Sequence, residues 1–131
     1  MFASTTLLLL LTSCASFFIT LATNDPTEMV QITQACLNES GATMEMVRNY
    51  KPSKKEPEKE LLCFIKCNFE KMGYVMDNGT VCVESMKEDG FIEAPDDDKE
   101  TIYECLEGVA GVETCEDAWD LEKCVVGISD E

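Results

Sequence analysis

The cysteines are the residues of this chain whose number and spacing most strongly suggest a chemical role. The 131-residue sequence contains eight of them, and two, Cys63 and Cys67, lie one helical turn apart. Because both side chains project from one side of a helix, a bond between them would have poor geometry, and each is better placed to bond to a different segment. The spacing differs from the Cys-x-x-Cys of redox and zinc motifs, and there is no histidine to complete a mixed zinc site. We interpret the pair as structural.

Catalysis and calcium binding are the other chemistries that the residues could offer. The absence of histidine removes the usual general base and every Ser-His-Asp or Cys-His arrangement. A carboxylate pair could act as acid and base among the 26 acidic residues, but no spacing singles one out. Asp96, Asp97 and Asp98 are adjacent and lack the alternate spacing of an EF-hand, so a solvated helix N-terminus is the better interpretation. We predict a protein that is not an enzyme and uses no metal and no cofactor.

The first 22 residues form a segment without charge. They include five consecutive leucines, Leu7 to Leu11, and end in Thr20-Leu21-Ala22, with small residues at the positions that a signal peptidase prefers. A transmembrane anchor is the alternative, but the apolar run is short and interrupted by polar residues. We predict a signal peptide at residues 1–22, cleavage after Ala22, and a secreted domain at residues 23–131.

The charge of the chain lies entirely in that secreted domain. Its 10 basic and 26 acidic residues give a net charge of −16, which makes nucleic acid and anionic membranes poor partners. We therefore expect no nucleic-acid binding and no stable membrane association. The domain is long enough for one modest core, and its cysteine density indicates disulfides.

Apolar residues recur at three- and four-residue intervals, and no alternating stretch of convincing length appears. The domain is therefore predicted to be all-α with about six helices. The predicted helices cover residues 25–37, 44–50, 58–72 and 81–88, followed by a fifth from residue 96 and a sixth that begins with a capping box at residues 114–117.

Six of the cysteines follow a recognisable order: Cys36, 26 residues, Cys63, three residues, Cys67, 37 residues, Cys105, nine residues, Cys115, eight residues and Cys124. This spacing resembles the signature of insect odorant-binding proteins, the pheromone-binding and general odorant-binding family. The resemblance implies about six helices stapled around an apolar ligand cavity. It also implies three disulfides, namely Cys36–Cys67, Cys63–Cys115 and Cys105–Cys124.

Cys82 has no place in that pattern. We expect it to be an unpaired, buried thiol that packs as a small apolar group. The alternative is an intermolecular disulfide through Cys82 that joins two copies into a homodimer.

The resemblance implies a secreted carrier that encloses small hydrophobic odorants or pheromones and moves them through aqueous sensory lymph, with an olfactory receptor as a further partner. A carrier of the same fold in a non-olfactory secretion is the alternative. Among polar groups that could orient a ligand, Tyr50, Tyr74, Thr101, Tyr103 and Trp119, we favour Tyr103 and Trp119. The full set of predicted ligand contacts is Leu62, Ile65, Phe69, Met72, Met76, Met86, Tyr103, Leu106, Trp119 and Val125.

Two asparagines fit the N-glycosylation sequon. These are Asn38 in Asn38-Glu39-Ser40 and Asn78 in Asn78-Gly79-Thr80. The second is explained equally well by turn chemistry. Since members of the resembling family are usually unglycosylated, we do not expect either site to be used.

Overall fold

The computed structural model describes residues 26–127, and six α-helices account for most of that range. An isolated antiparallel bridge joins Val75 to Val81, and residues 26–127 contain no longer strand. The all-α prediction is confirmed. The predicted signal peptide and its cleavage site lie outside the described residues. In chain order the helices are α1 Pro26–Ser40, α2 Met44–Asn49, α3 Lys59–Lys71, α4 Val83–Asp89, α5 Asp96–Glu107 and α6 Ala118–Val126.

Three helix boundaries differ from the predicted ones by two residues or more. Helix α1 runs to Ser40, past the expected end at residue 37, and stops where Gly41 takes a left-handed conformation with φ of 81°. Helix α4 begins two residues later than predicted because Val81 is held in the bridge to Val75. Helix α6 begins at Ala118, since residues 115–117 form a turn and not the first helical turn.

Helix α3 is covered on two sides, as its sequence predicts. It packs against α1 and α6, and it buries apolar residues around much of its circumference. A helix that is apolar on several faces is stable in water only when neighbours cover those faces. The buried residues of α3 are Leu61, Leu62, Phe64, Cys67 and Phe69.

Three disulfides tie the helices together. Cys36–Cys67 joins α1 to α3 and spans 31 residues of sequence, whereas Cys63–Cys115 joins α3 to the turn before α6 and spans 52. The third disulfide joins α5 to α6 and spans 19 residues. The pairs are those that the family resemblance implies, and Cys63 and Cys67 take different partners. The third pair is Cys105–Cys124.

Cys82 corrects one prediction. It is disulfide-bonded, and no cysteine among residues 26–127 is a free thiol, so the unpaired thiol expected at this position is wrong. The residue is 2 % exposed at the start of α4. The family resemblance implies partners only for the six cysteines of its spacing, and Cys82 is not one of them.

The reciprocal hydrogen bonds of the capping box predicted at residues 114–117 are present, but they close a turn that precedes α6 and not the first turn of the helix itself. The Thr114 hydroxyl accepts a hydrogen bond from the Asp117 backbone N–H at 3.3 Å. The Asp117 carboxylate accepts from the backbone N–H groups of Thr114 and Glu113, each at 2.9 Å. These two backbone hydrogen bonds hold the pKa of Asp117 below its usual value. The box fixes the turn that presents Cys115 to α3.

We predict that Asp117→Ala lowers the thermal stability of the protein at neutral pH and that the difference shrinks on acidification. Since the pKa of Asp117 is lower in the folded than in the unfolded state, its contribution is present above about pH 4, the unfolded value, and is lost as the pH falls through the folded value. Melting curves from pH 7 to pH 2.5 measure this. A gap for Asp117→Ala that widens in acid would contradict the prediction.

Candidate functional site

The candidate ligand site is built around a cluster of buried apolar residues that we call the main cluster. Helices α3, α4, α5 and α6 each contribute to it, together with the segments that precede α4 and α6. Burial of this much apolar surface is the principal stabilising contribution in a domain of this size. The buried members are Phe69, Tyr74, Val75, Val83, Met86, Leu106, Val112, Ala118, Leu121 and Cys124.

The structure brings most of the predicted ligand contacts together in the main cluster. Phe69, Met86 and Leu106 are buried members of it, and Leu62 is buried elsewhere on α3 with 2 % exposure. Met76 is half-buried in the segment between α3 and α4. Four further predicted contacts are partly buried and pack against the cluster, namely Ile65, Met72, Tyr103 and Val125.

A second, smaller group of buried residues lies where α1, α2 and α3 meet, and we call it the N-terminal cluster. It contains Cys36, Ala42, Leu61, Phe64 and Cys67, with Tyr50 packed at its margin. Ile65 on α3 packs against both clusters. The two clusters therefore adjoin along α3, although the sequence prediction treated the interior as one set.

Three aromatic rings form one wall of the main cluster. The ring centroids of Tyr74 and Phe91 are 4.9 Å apart, and those of Phe69 and Phe91 are 5.7 Å apart. The Tyr74 hydroxyl donates to the Asp89 carboxylate at 3.0 Å. Burial, followed by this hydrogen bond, raises the pKa of Tyr74 above its usual value. Tyr74 was one of the predicted polar candidates but not a favoured one. Phe91 was not predicted, since it follows a helix end and no helical periodicity points to it.

The predicted polar contacts Tyr103, Trp119 and Thr101 make different interactions with their neighbours. The Tyr103 hydroxyl donates to the Met86 carbonyl at 3.5 Å, and the Lys87 ammonium lies 5.5 Å from its ring centroid. Trp119 is half-buried, with the Lys123 ammonium 6.0 Å from its ring. Thr101 is exposed and donates to the Asp97 carbonyl within α5, so it does not reach the interior.

Tyr50, one of the predicted polar candidates, forms a polar pair with Glu122, which the sequence prediction did not include. The Tyr50 hydroxyl is buried, and it makes a hydrogen bond with the Glu122 carboxylate that lies outside normal geometry. Burial raises the pKa of Tyr50, and the nearby Glu122 carboxylate adds to that rise. Burial likewise raises the pKa of Glu122, while Tyr50 acts in the opposite direction. The only signal in the sequence is a carboxylate placed directly after Leu121 on the apolar stripe of α6.

Two cavities lie at the edge of the described domain. One, of about 430 Å³, is lined by α2, the loop at residues 51–57 and the start of α3, and it includes Met46 and Leu61. The other, of about 280 Å³, lies between the start of α4 and the end of α5. Leu106 lines the second cavity and is the one member of the predicted ligand set that lines either of these two.

One group of sulfur and carboxylate atoms lies as close together as the ligands of a metal ion do, but its sulfur atoms are not in a form that binds metal. Cys36, Cys67 and Glu39 place potential ligand atoms within 4.8 Å of one another. The two sulfurs are bonded to each other, so neither is a thiolate. The Glu39 carboxylate pairs with the Lys71 ammonium at 3.1 Å. Asp96, Asp97 and Asp98 occupy the first turn of α5, where the helix dipole favours carboxylates.

Both sequons are at exposed positions. Asn38 lies in the last turns of α1, and Asn78 lies in the turn between α3 and α4. The Asn78 side chain accepts a hydrogen bond from the Thr80 backbone N–H at 3.0 Å, the turn interaction expected of this residue.

One known protein family matches this chain over most of its length. The family profile described as PBP/GOBP family matches residues 21–127, which include all three disulfides and every residue of both clusters. The chain belongs to the PBP/GOBP family. No curated protein and no solved structure gives a significant match to this PBP/GOBP protein.

Membership of the PBP/GOBP family indicates the general function of the protein. Proteins of the PBP/GOBP family are secreted binding and carrier proteins for small hydrophobic ligands, and they are not enzymes. Among residues 26–127 of this PBP/GOBP protein, every helix falls short of the length and apolar character needed to cross a bilayer.

Proposed function

We propose that this protein is secreted after removal of residues 1–22 and carries small hydrophobic odorants or pheromones through aqueous sensory lymph to olfactory receptors. The observation that supports the proposal most strongly is the match of residues 21–127 to the PBP/GOBP family, together with three disulfides that hold four helices around an apolar interior. A carrier needs an interior that adapts to several ligand shapes. The flexible thioethers of Met72 and Met86 in and beside the main cluster suit that requirement.

The same proposal assigns the ligand to the main cluster and its margins. Phe69, Met86 and Leu106 supply apolar surface from three different helices. Such a site favours neutral apolar molecules, since the net charge of −16 disfavours anions. Asn38 and Asn78 are proposed to be unmodified, which a mass measurement before and after glycosidase treatment checks.

We predict that the mature protein binds neutral apolar molecules of roughly ten to twenty heavy atoms with micromolar affinity, about −8 kcal/mol. Displacement of a fluorescent naphthylamine probe by volatile alcohols, esters, aldehydes and terpenoids measures this. Reduced and alkylated protein is the control, because loss of the disulfides should abolish probe binding. If no compound of the panel displaced the probe from the oxidised protein, the carrier function would be refuted.

A further inference from the structure

The cavity of about 280 Å³ between the start of α4 and the end of α5 opens onto the main cluster. Val83 and Leu106 line this cavity and are buried members of that cluster. Val81 and Val109 also line the cavity, and they are partly buried residues that pack against the cluster. The inner wall of the cavity is therefore part of the apolar surface that the proposed function assigns to the ligand.

Lys87 connects the two sides of this cavity at its rim. Its ammonium lies 3.3 Å from the Glu107 carboxylate on α5 and 3.9 Å from the Glu84 carboxylate on its own helix, α4. The ammonium also lies 5.5 Å from the ring centroid of Tyr103 on α5. Both carboxylates line the cavity and both glutamates are exposed. The side chain of Lys87 therefore reaches from one side of the opening to the other.

Few polar contacts hold α4 against α5 beside the cavity. The disulfide of α5, Cys105–Cys124, joins α5 to α6 and not to α4. Among residues 26–127, the polar contact between α4 and α5 besides those of Lys87 is a long hydrogen bond, in which the Tyr103 hydroxyl donates to the Met86 carbonyl at 3.5 Å. Because an exposed ion pair is weak, the two helices can separate here at small cost.

We propose that this cavity is the entrance through which a ligand reaches the main cluster, and that Lys87 closes the entrance by pairing with Glu107. When the ion pair breaks, the adjoining ends of α4 and α5 can move apart, and an apolar molecule can pass between Val83 and Leu106. When the pair forms again, the long aliphatic part of the lysine side chain covers the opening. This inference rests on the proposed carrier function and describes how the ligand enters and leaves its site.

A closing contact of this kind governs rates and not affinity. The groups that hold the Lys87 ammonium, on Glu84, Glu107 and Tyr103, all belong to the protein, so breaking the contact removes nothing that binds the ligand. More frequent opening then raises the association and dissociation rates by the same factor and leaves Kd unchanged. A residue that contacts the bound ligand changes Kd instead.

The test follows association and dissociation of a fluorescent naphthylamine probe with the oxidised mature protein by stopped-flow fluorescence. Lys87→Met keeps the length of the side chain and removes its charge, and both rates should rise about threefold, the effect expected of one exposed ion pair. The wild-type rates should also rise as NaCl is increased from about 0.01 M to about 1 M, because salt screens exposed charges. The rates of Lys87→Met should depend less on salt.

Lys123→Met is the matched control. The Lys123 ammonium lies 3.4 Å from the Asp120 carboxylate and 6.0 Å from the Trp119 ring centroid, so it makes the same two kinds of contact, but within the single helix α6. This variant should keep the wild-type rates and their dependence on salt. Wild-type rates in Lys87→Met overturn the inference. So does a change in only one of the two rates, because Lys87 would then contact the ligand.

The position of the entrance is tested by filling the cavity. Val109→Trp places a large ring in its lining and should slow probe association severalfold, whereas Val30→Trp, at a position on α1 that is 60 % exposed, should leave association unchanged. A folded Val109→Trp variant that binds the probe at the wild-type rate overturns the inference. If the wild-type protein binds no apolar probe or ligand, the carrier function fails and this inference with it. Binding with rates that neither Lys87→Met nor Val109→Trp alters overturns the inference alone.

Discussion

Replacement of both Cys63 and Cys115 by serine is expected to lower the free energy of unfolding by about 4 kcal/mol, the chain-entropy value for a loop of this length. The bond closes the longest of the three loops, with a sequence separation of 52 residues. It also fixes α3, the helix covered on two sides, to the capped turn before α6. For a domain of about one hundred residues this loss corresponds to a fall in melting temperature on the order of 15 °C. Thermal and guanidinium unfolding followed by circular dichroism measure both quantities.

The matched control removes a shorter disulfide in the same way. Cys105→Ser with Cys124→Ser opens a loop with a sequence separation of 19 residues, for which the same relation gives about 3 kcal/mol. Mass spectrometry of each variant must show that the remaining disulfides are intact. A double variant of Cys63 and Cys115 that unfolded within 1 kcal/mol of the wild-type protein would contradict the role assigned to this bond.

Local patterns predicted most of the fold. The reciprocal hydrogen bonds at residues 114–117 and the two covered sides of α3 both depend on residues within one or two helical turns, so the sequence contains the information directly. The disulfide pairing did not follow from spacing alone. It came from the family resemblance, which restricts the fifteen pairings of six cysteines to one.

The candidate site was less predictable because it depends on contacts between distant segments. Phe91 and Tyr74 meet in the structure although sixteen residues lie between them in the chain, and neither lies on a helical apolar stripe. Glu122 carries a charge, which argues for exposure, yet packing of α6 against α3 leaves it half-buried near Tyr50. Thr101 is the opposite case. It was a predicted polar contact for the ligand, but its hydroxyl donates to the Asp97 carbonyl within its own helix.

Leu106→Ala is expected to cost about 2–5 kcal/mol of unfolding free energy, the range for large-to-small substitutions at packed positions. Leu106 is 0 % exposed and belongs to the main cluster, where its loss removes contacts between α5 and the other helices. Guanidinium unfolding of the ligand-free protein measures the change. The midpoint should move with little change in the dependence on denaturant, since the folded and unfolded surfaces are nearly the same.

Val30→Ala is the control for this substitution, because Val30 is 60 % exposed on α1 and its truncation should change stability by less than about 0.5 kcal/mol. The comparison also separates two roles for Leu106. In a packed core, truncation leaves a new void and the cost includes the lost contacts around it. Beside a ligand cavity, part of the space is already open. The loss of unfolding free energy then approaches the free energy of transferring the deleted atoms from the protein interior to water. A loss of about 2 kcal/mol, the transfer term for three buried carbon groups, would therefore show that Leu106 borders open cavity space. A loss no larger than that for Val30→Ala would contradict the burial of Leu106 in the main cluster.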